Sequence, residues 1–253
     1  MGFYDLPKGE RAKLVEKMKE AIERDLQNGV KENILKYASD GDTYIRKNTS
    51  LILGRLYRDR PEIRQRILGI LKNLFENSDE KVRQTVIYAV GEIGKINANE
   101  IMRMLEIALN DEHHSVRNAV IGALKQMGEK NPKPTLRFAR KFLHHPNPQI
   151  RRVVVHGIEL RGRSHPEDIL PLLKELQGDR SKKVRETIAH VLAQISYKEG
   201  CLEKVLNTLK CWKDKELVKM ALKEVLDVHK RYEKFSAKSY EEARKYVTRE
   251  FRM

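Results

Sequence analysis

Apolar side chains recur along this chain at helical spacing, and the helices themselves recur at a fixed interval. An apolar residue followed by a base occurs at Ile45-Arg46, Val82-Arg83, Val116-Arg117, Ile150-Arg151, Val184-Arg185 and Val218-Lys219. The intervals are 37 and then four times 34 residues, so the chain is a repeat protein. Three residues past each base stand Thr49, Val86, Val120, Val154, Ile188 and Leu222, and seven past it Leu53, Val90, Leu124, Ile158, Leu192 and Leu226. That spacing lays one apolar stripe along a helix. No segment alternates polar and apolar residues with a period of two, so no strand is predicted.

The repeat also carries start and stop signals. Asp42, Asp79, Ser115 and Ser181 precede the bases and suit helix N-caps. Gly94, Gly128 and Gly162 fall eleven past the base, where a left-handed C-cap would end the helix. Ala89, Ala123 and Gly157, six past it, are small enough for helices to approach closely. A second helical pattern fills each unit, as in Pro61–Phe75, Glu100–Leu109, Pro134–Leu143, Pro166–Leu176 and Cys201–Leu209. Each unit therefore reads helix A, turn, helix B, turn, and buries its apolar face only by stacking on its neighbours.

Asp, then Val-Arg, then an apolar helix resembles the HEAT repeat, over roughly residues 30–230. The expected fold is an all-α, right-handed α-α superhelix, a HEAT-like solenoid of five to six helix pairs with atypical terminal helices. Capping helices are expected over residues 1–41, the repeat array over 42–230 and a capping helix over 231–253. Within that class, HPNPQIRRVVVHGIELRGR (145–163) and DRSKKVRETIAHVLAQIS (179–196) resemble segments of the HEAT-like (AlkC/AlkD-type) alkylpurine DNA glycosylases. The shared features are the pair Arg151-Arg152 and the series Asp179, Ser181, Val184-Arg185 and Ile195-Ser196. One branch carries an acid before the final Ile-Ser where this chain has Gln194. The other uses a Trp-rich helix with an Asp, whereas this chain has the single tryptophan Trp212. The resemblance implies DNA binding; if it extends to base excision, Glu159 is the acid placed to serve.

Composition narrows the partner. The 253 residues hold 51 Lys+Arg against 36 Asp+Glu, a net charge of +15. Residues 130–165 contain nine bases (Lys130, Lys133, Arg137, Arg140, Lys141, Arg151, Arg152, Arg161 and Arg163) against one acid, Glu159. A focused basic field attracts polyanions, although a solvated face that keeps the protein soluble has the same composition. No apolar run approaches a membrane span, and the first residues lack a signal-peptide pattern. Two cysteines, Cys201 and Cys211, make no disulfide framework. A cytoplasmic protein without a membrane partner is the expectation, its oligomeric state open.

Solenoids of this kind usually line their concave side with the second helix of each pair. Positions one, five, eight and twelve past the base lie off the apolar stripe and are expected to face that groove. They include Lys95, Lys125, Arg152, His156, Glu159, Arg163, His190, Ala193 and Tyr197. Lys95, Lys125, Arg152, His156, Arg163 and His190 are the candidate nucleic-acid contacts. If helix A lines the groove instead, Arg137, Arg140 and Lys141 replace them. Duplex DNA is the favoured partner, and a protein segment held in the same groove is the alternative. The arginine ladder Arg46, Arg83, Arg117, Arg151 and Arg185 is read as structural, each member pairing with an Asp or a helix terminus.

His156 and His190 share a phase in adjacent repeats, and Glu159 stands one turn from His156. A metal or acid–base site is one reading of them; histidines bonded to neighbours or water is the one adopted, with no metal and no cofactor assigned. His113-His114 and His144-His145 read as turn residues, both cysteines as buried apolar groups, and Trp212 as packing. No phosphate-binding glycine loop, nucleophile triad or zinc spacing is present, so an enzyme is left open and not favoured.

Overall fold

The computed structural model describes residues 2–251, and every regular element among them is helical. The chain divides into two compact units, residues 1–131 and 132–253. The first holds α1 (Lys8–Asn28), α2 (Glu32–Ala38), α3 (Thr43–Asp59), α4 (Arg64–Phe75), α5 (Glu80–Gly94), α6 (Met102–Ala108) and α7 (His114–Lys130). The second holds α8 (Pro132–Phe142), α9 (Pro148–Gly157), α10 (Glu159–Ser164), α11 (Pro166–Glu175), α12 (Lys182–Ser196), α13 (Cys201–Lys210), α14 (Lys215–Arg231) and α15 (Tyr240–Phe251). The helix A and helix B pattern is realised in each unit. In the first, α5 lies between α3 and α7; in the second, α12 lies between α9 and α14.

The apolar stripe is the reason. Val86, Val120, Val154, Ile188, Leu53, Val90, Leu124, Ile158 and Leu192 are buried, each contributing about 1.5–3 kcal/mol of transfer free energy. Thr49 is buried too, its hydroxyl donating to the Ile45 carbonyl at 3.0 Å. Leu226 departs from the series and is only half-buried, while Val225 is fully buried. The capping register explains this. Asp42, Asp79, His113, Asn147 and Ser181 are the N-caps of their helices, each four residues before its arginine. The last N-cap is Asp214, so the position equivalent to arginine is Val218, and Lys219 is an exposed residue outside the ladder.

Two other expectations about helix ends change. Ser115 is not a cap, because the His113 imidazole takes that place and accepts from the Ser115 N–H. Ser181 holds the N-cap position without a side-chain hydrogen bond. Gly94, Gly128 and Gly162 are helical rather than left-handed; the positive-φ glycines among the described residues are Gly29 and Gly200. A Cβ on Gly94 would stand 2.6 Å from Met127 Sδ. The missing side chain there serves close helix contact, and Gly29 supplies the true left-handed cap, its N–H donating to the Asp25 carbonyl.

The arginine ladder builds the turns between helices. Arg46, Arg83, Arg117 and Arg151 each donate to two carbonyls of the turn before their own helix. Two of these also reach the next repeat, Arg83 binding Asp111 and Arg151 binding Asp179, and Arg185 makes the same step to Asp214. Asp111 and Asp179 accept in addition from the backbone N–H of the following N-cap, at 2.8 Å in both cases. The guanidinium of Arg83 and that of Arg151 thus each hold their own turn by carbonyls and the next by a carboxylate, and the structural reading of the ladder holds.

Candidate functional site

The second unit brings His156, Glu159, Arg163 and His190 together where the helical stretch 148–164 is broken. The helix that begins at Pro148 stops at Gly157, and Ile158, at φ −89° and ψ 0°, joins it to the segment starting at Glu159. His156 and Glu159 flank this joint on α9 and α10. His190 and Gln194 stand one turn apart on α12, and Glu224 comes from α14.

Glu159 is the hub. Its side chain is 1% exposed, which corrects the expectation of a groove-facing acid. The row eight past the base is where neighbouring second helices touch: Gly91 and Ala193 are buried as well, and a Cβ on Gly91 would lie 2.7 Å from the Ala123 Cα. A buried carboxylate survives only if it is paired, and Glu159 is. Arg163 donates from Nη2 to Glu159 Oε1. His156 Nε2 stands 3.2 Å and His190 Nε2 3.6 Å from Glu159 Oε2. The two imidazole rings meet edge to face with centroids 5.4 Å apart.

The shell around this group is equally specific. Arg163 also donates to Gln194 Oε1 at 2.6 Å, and its guanidinium carbon lies 5.5 Å from the Tyr197 ring centroid, within cation–π range. Gln194, which replaces the acid expected by resemblance, is therefore a hydrogen-bond acceptor for Arg163. His190 Nδ1 lies 3.8 Å from Glu224 Oε1. Glu224 was not among the sequence candidates; its only signal was a position one repeat beyond His190.

The remaining candidates are placed elsewhere. Arg152 is half-buried and donates to Gln149 Oε1 at 3.1 Å. Lys95 and Lys125 belong to the first unit, where Lys95 pairs with Glu92 at 2.7 Å. Arg151 and Arg161 of the basic segment are bound to Asp179 and Asp168. Besides Lys130 at the end of α7, its exposed charge lies on α8, where Lys133, Arg137, Arg140 and Lys141 all face solvent while Phe138 and Ala139 are buried. Those bases fall at i, i+4, i+7 and i+8, a single stripe, and the helix carries no acid.

Away from this region, Cys201 is buried, and burial pushes its thiol above the ordinary range. Cys211 is exposed, which corrects the expectation of two buried cysteines. Trp212 is 1% exposed and is a packing residue. His113 caps α7, and His144 Nε2 pairs with Glu175 at 2.9 Å. Among the described residues, no helix is long and apolar enough to cross a membrane.

Solved structures of similar fold include AlkD2 from Streptococcus mutans, with a TM-score of 0.58 at 18% identity, covering 81% of this chain and 98% of that one. The smu.31 protein of Streptococcus mutans UA159 has a TM-score of 0.55 at 19% identity, covering 74% and 97%. The MAST/Orbit N-terminal domain has 0.51 at 16% identity, covering 78% and 96%. At such identities the likeness is one of fold, and the first agrees with the AlkD-type resemblance in the sequence. No curated protein matches the chain. The HEAT-repeat pattern, however, matches residues 67–139 and 136–227. It thus covers more than half of the chain, including the turns held by Arg83, Arg117 and Arg151, and the chain belongs to the HEAT-repeat family.

Proposed function

We propose that this HEAT-repeat protein is a nucleic-acid-binding module whose favoured partner is duplex DNA. The observation that carries the reading is the state of the basic segment 130–165. Its one acid, Glu159, is buried against Arg163, so the surface of that segment is left basic. Phosphate contacts need exposed or flexible donors, and the α8 stripe of Lys133, Arg137, Arg140 and Lys141 supplies them. Arg152 and Arg163 of the second unit are the second set. Arg163 is held by Glu159 and Gln194, which leaves it less free to meet a phosphate than the α8 bases. The contacts would position a duplex without reading its sequence.

Base excision is not part of this proposal, because the Glu159 carboxylate is covered and engaged by Arg163 and His156. A protein segment is the second reading, favoured by the exposed acids Glu129 and Glu186 among the positions assigned to the groove.

Fluorescence anisotropy with a labelled duplex of about 20 base pairs, over a salt series, tests both. A protein neutralising Z phosphates loses affinity with log[salt] at a slope near −0.9Z. We expect a steep slope that Arg137→Glu/Arg140→Glu flattens more than Arg152→Glu does. Equal loss in the two variants would move the site to the second helices. Absence of binding at low salt would overturn the nucleic-acid reading and leave the protein segment.

A further inference from the structure

We infer that His156, His190 and Glu159 form a three-ligand site for a divalent transition metal of the zinc class. The donor atoms of all three lie within 4.8 Å of one another. The donor set, two neutral imidazole nitrogens and one carboxylate oxygen, is one that zinc accepts with a solvent ligand in the fourth position.

Two of the three edges fit an ion, and the third, between the imidazoles, is no more than 4.8 Å. A tetrahedral site with bonds of about 2.0–2.1 Å places its ligand atoms about 3.3–3.4 Å apart. Glu159 Oε2 stands 3.2 Å from His156 Nε2 and 3.6 Å from His190 Nε2, on either side of that edge. Small rotations of two imidazoles complete the geometry, and the rings have room for them, since their side chains are 28% and 36% exposed. The same exposure gives an ion a path from solvent and a place for its water.

The surroundings orient the ligands as outer groups do in metal sites. Arg163 binds Glu159 Oε1 and so turns Oε2 toward the histidines. Glu224 Oε1 lies 3.8 Å from His190 Nδ1, a carboxylate placed to accept from Nδ1–H when the ring turns and so to leave Nε2 for the ion. Arg163 sets a positive charge near the ion, but its guanidinium is shared between Glu159, Gln194 and the Tyr197 ring. A backbone joint at Ile158 placed beside the hub is consistent with a ligand set held by packing on three helices. The site needs no nucleic acid, so metal binding and duplex binding can each fail without the other.

The full chain, titrated with Co²⁺ in the absence of nucleic acid, provides the test. One equivalent per chain is expected to bind with the intense visible bands of a low-coordinate N/O site, and Zn²⁺ is expected to displace it. His156→Ala and His190→Ala should each weaken Zn²⁺ binding about 100-fold or more, measured by competition with a chelator. Glu224→Gln, which leaves all three ligands in place, should weaken it about 10- to 100-fold. Since Glu159 is buried, Glu159→Gln is checked by circular dichroism first, and the variants of the two partly exposed histidines decide the outcome. Weak octahedral bands, or binding that survives both histidine substitutions, would overturn the site and assign the histidines to hydrogen bonding with Glu159.

Discussion

Arg151 grips Asp179 with two nitrogens, Nε to Oδ2 at 2.6 Å and Nη2 to Oδ1 at 2.9 Å, while its third nitrogen holds the His145 and Pro146 carbonyls. One side chain therefore ties two successive turns of the second unit together. Burial pushes the Asp179 carboxyl up, but the Arg151 hydrogen bonds outweigh it and hold the group below the usual carboxylate range.

Asp179→Ala removes the partner of an Arg151 side chain that is 15% exposed, together with the acceptor for the Ser181 N–H. Breaking such a pair from one side costs about 3 kcal/mol or more. Denaturant unfolding is expected to show that loss, whereas Glu186→Ala on the exposed face of α12 should stay within about 0.5 kcal/mol.

Stability should fall when the protein is acidified below neutrality, and His229 is a reason. It is 1% exposed and bonded to Ser236 Oγ and the Lys238 carbonyl. Burial pushes its pKa below the ordinary value of 6.5, so the unfolded chain takes up the proton first. Its contribution is present above about pH 6.5 and is lost as the pH drops through the folded value. Thermal unfolding between pH 7.5 and pH 5 should show a smaller decline in His229→Gln than in the parent. Equal declines would remove His229 as the cause.

Asp214 acts in a lower window. Arg185 and the Leu217 N–H hold its carboxyl down to about 2, so the stability it confers is present above the ordinary carboxylate value and disappears as pH falls from about 4 toward 2. Asp214→Asn should flatten the acid limb of the unfolding curve in that range and leave the His229 window unchanged.

Two glycines should respond in opposite directions to the same substitution. Gly91→Ala places a methyl 2.7 Å from the Ala123 Cα and must push α5 from α7, a cost of about 1–3 kcal/mol. Gly69 sits inside α4 with nothing within 4 Å of an added Cβ, so Gly69→Ala should stabilise by up to about 1 kcal/mol. Melting temperatures of the two variants decide this directly.

Thiol labelling should separate the cysteines. Cys211 is exposed, whereas Cys201 is buried with its thiol raised by desolvation. One cysteine per native chain should react promptly and the second only on unfolding; two fast equivalents would show that α13 opens readily.

The helical repeat, the apolar stripe and the arginine ladder were all legible in the sequence, because each depends on neighbours at fixed spacing. Helix periodicity is local, and a turn that recurs every 34 residues repeats its own hydrogen bonds. The last repeat slipped by one residue because the cap at Asp214 set the register of α14. No local rule shows which of two adjacent apolar residues, Val225 or Leu226, faces the core. Gly94 and Gly162 were misread for the same reason, since a glycine near a helix end suits a left-handed turn or a close neighbour equally well. Only the stacked helices decide between them. The site depended on tertiary structure most of all. The sequence placed His156 and His190 in one phase with Glu159 one turn from His156, but phase gives a direction and not a depth. Burial of Glu159 and the arrival of Glu224 beside His190 depend on how closely three helices from different repeats approach, and sequence spacing does not encode that separation.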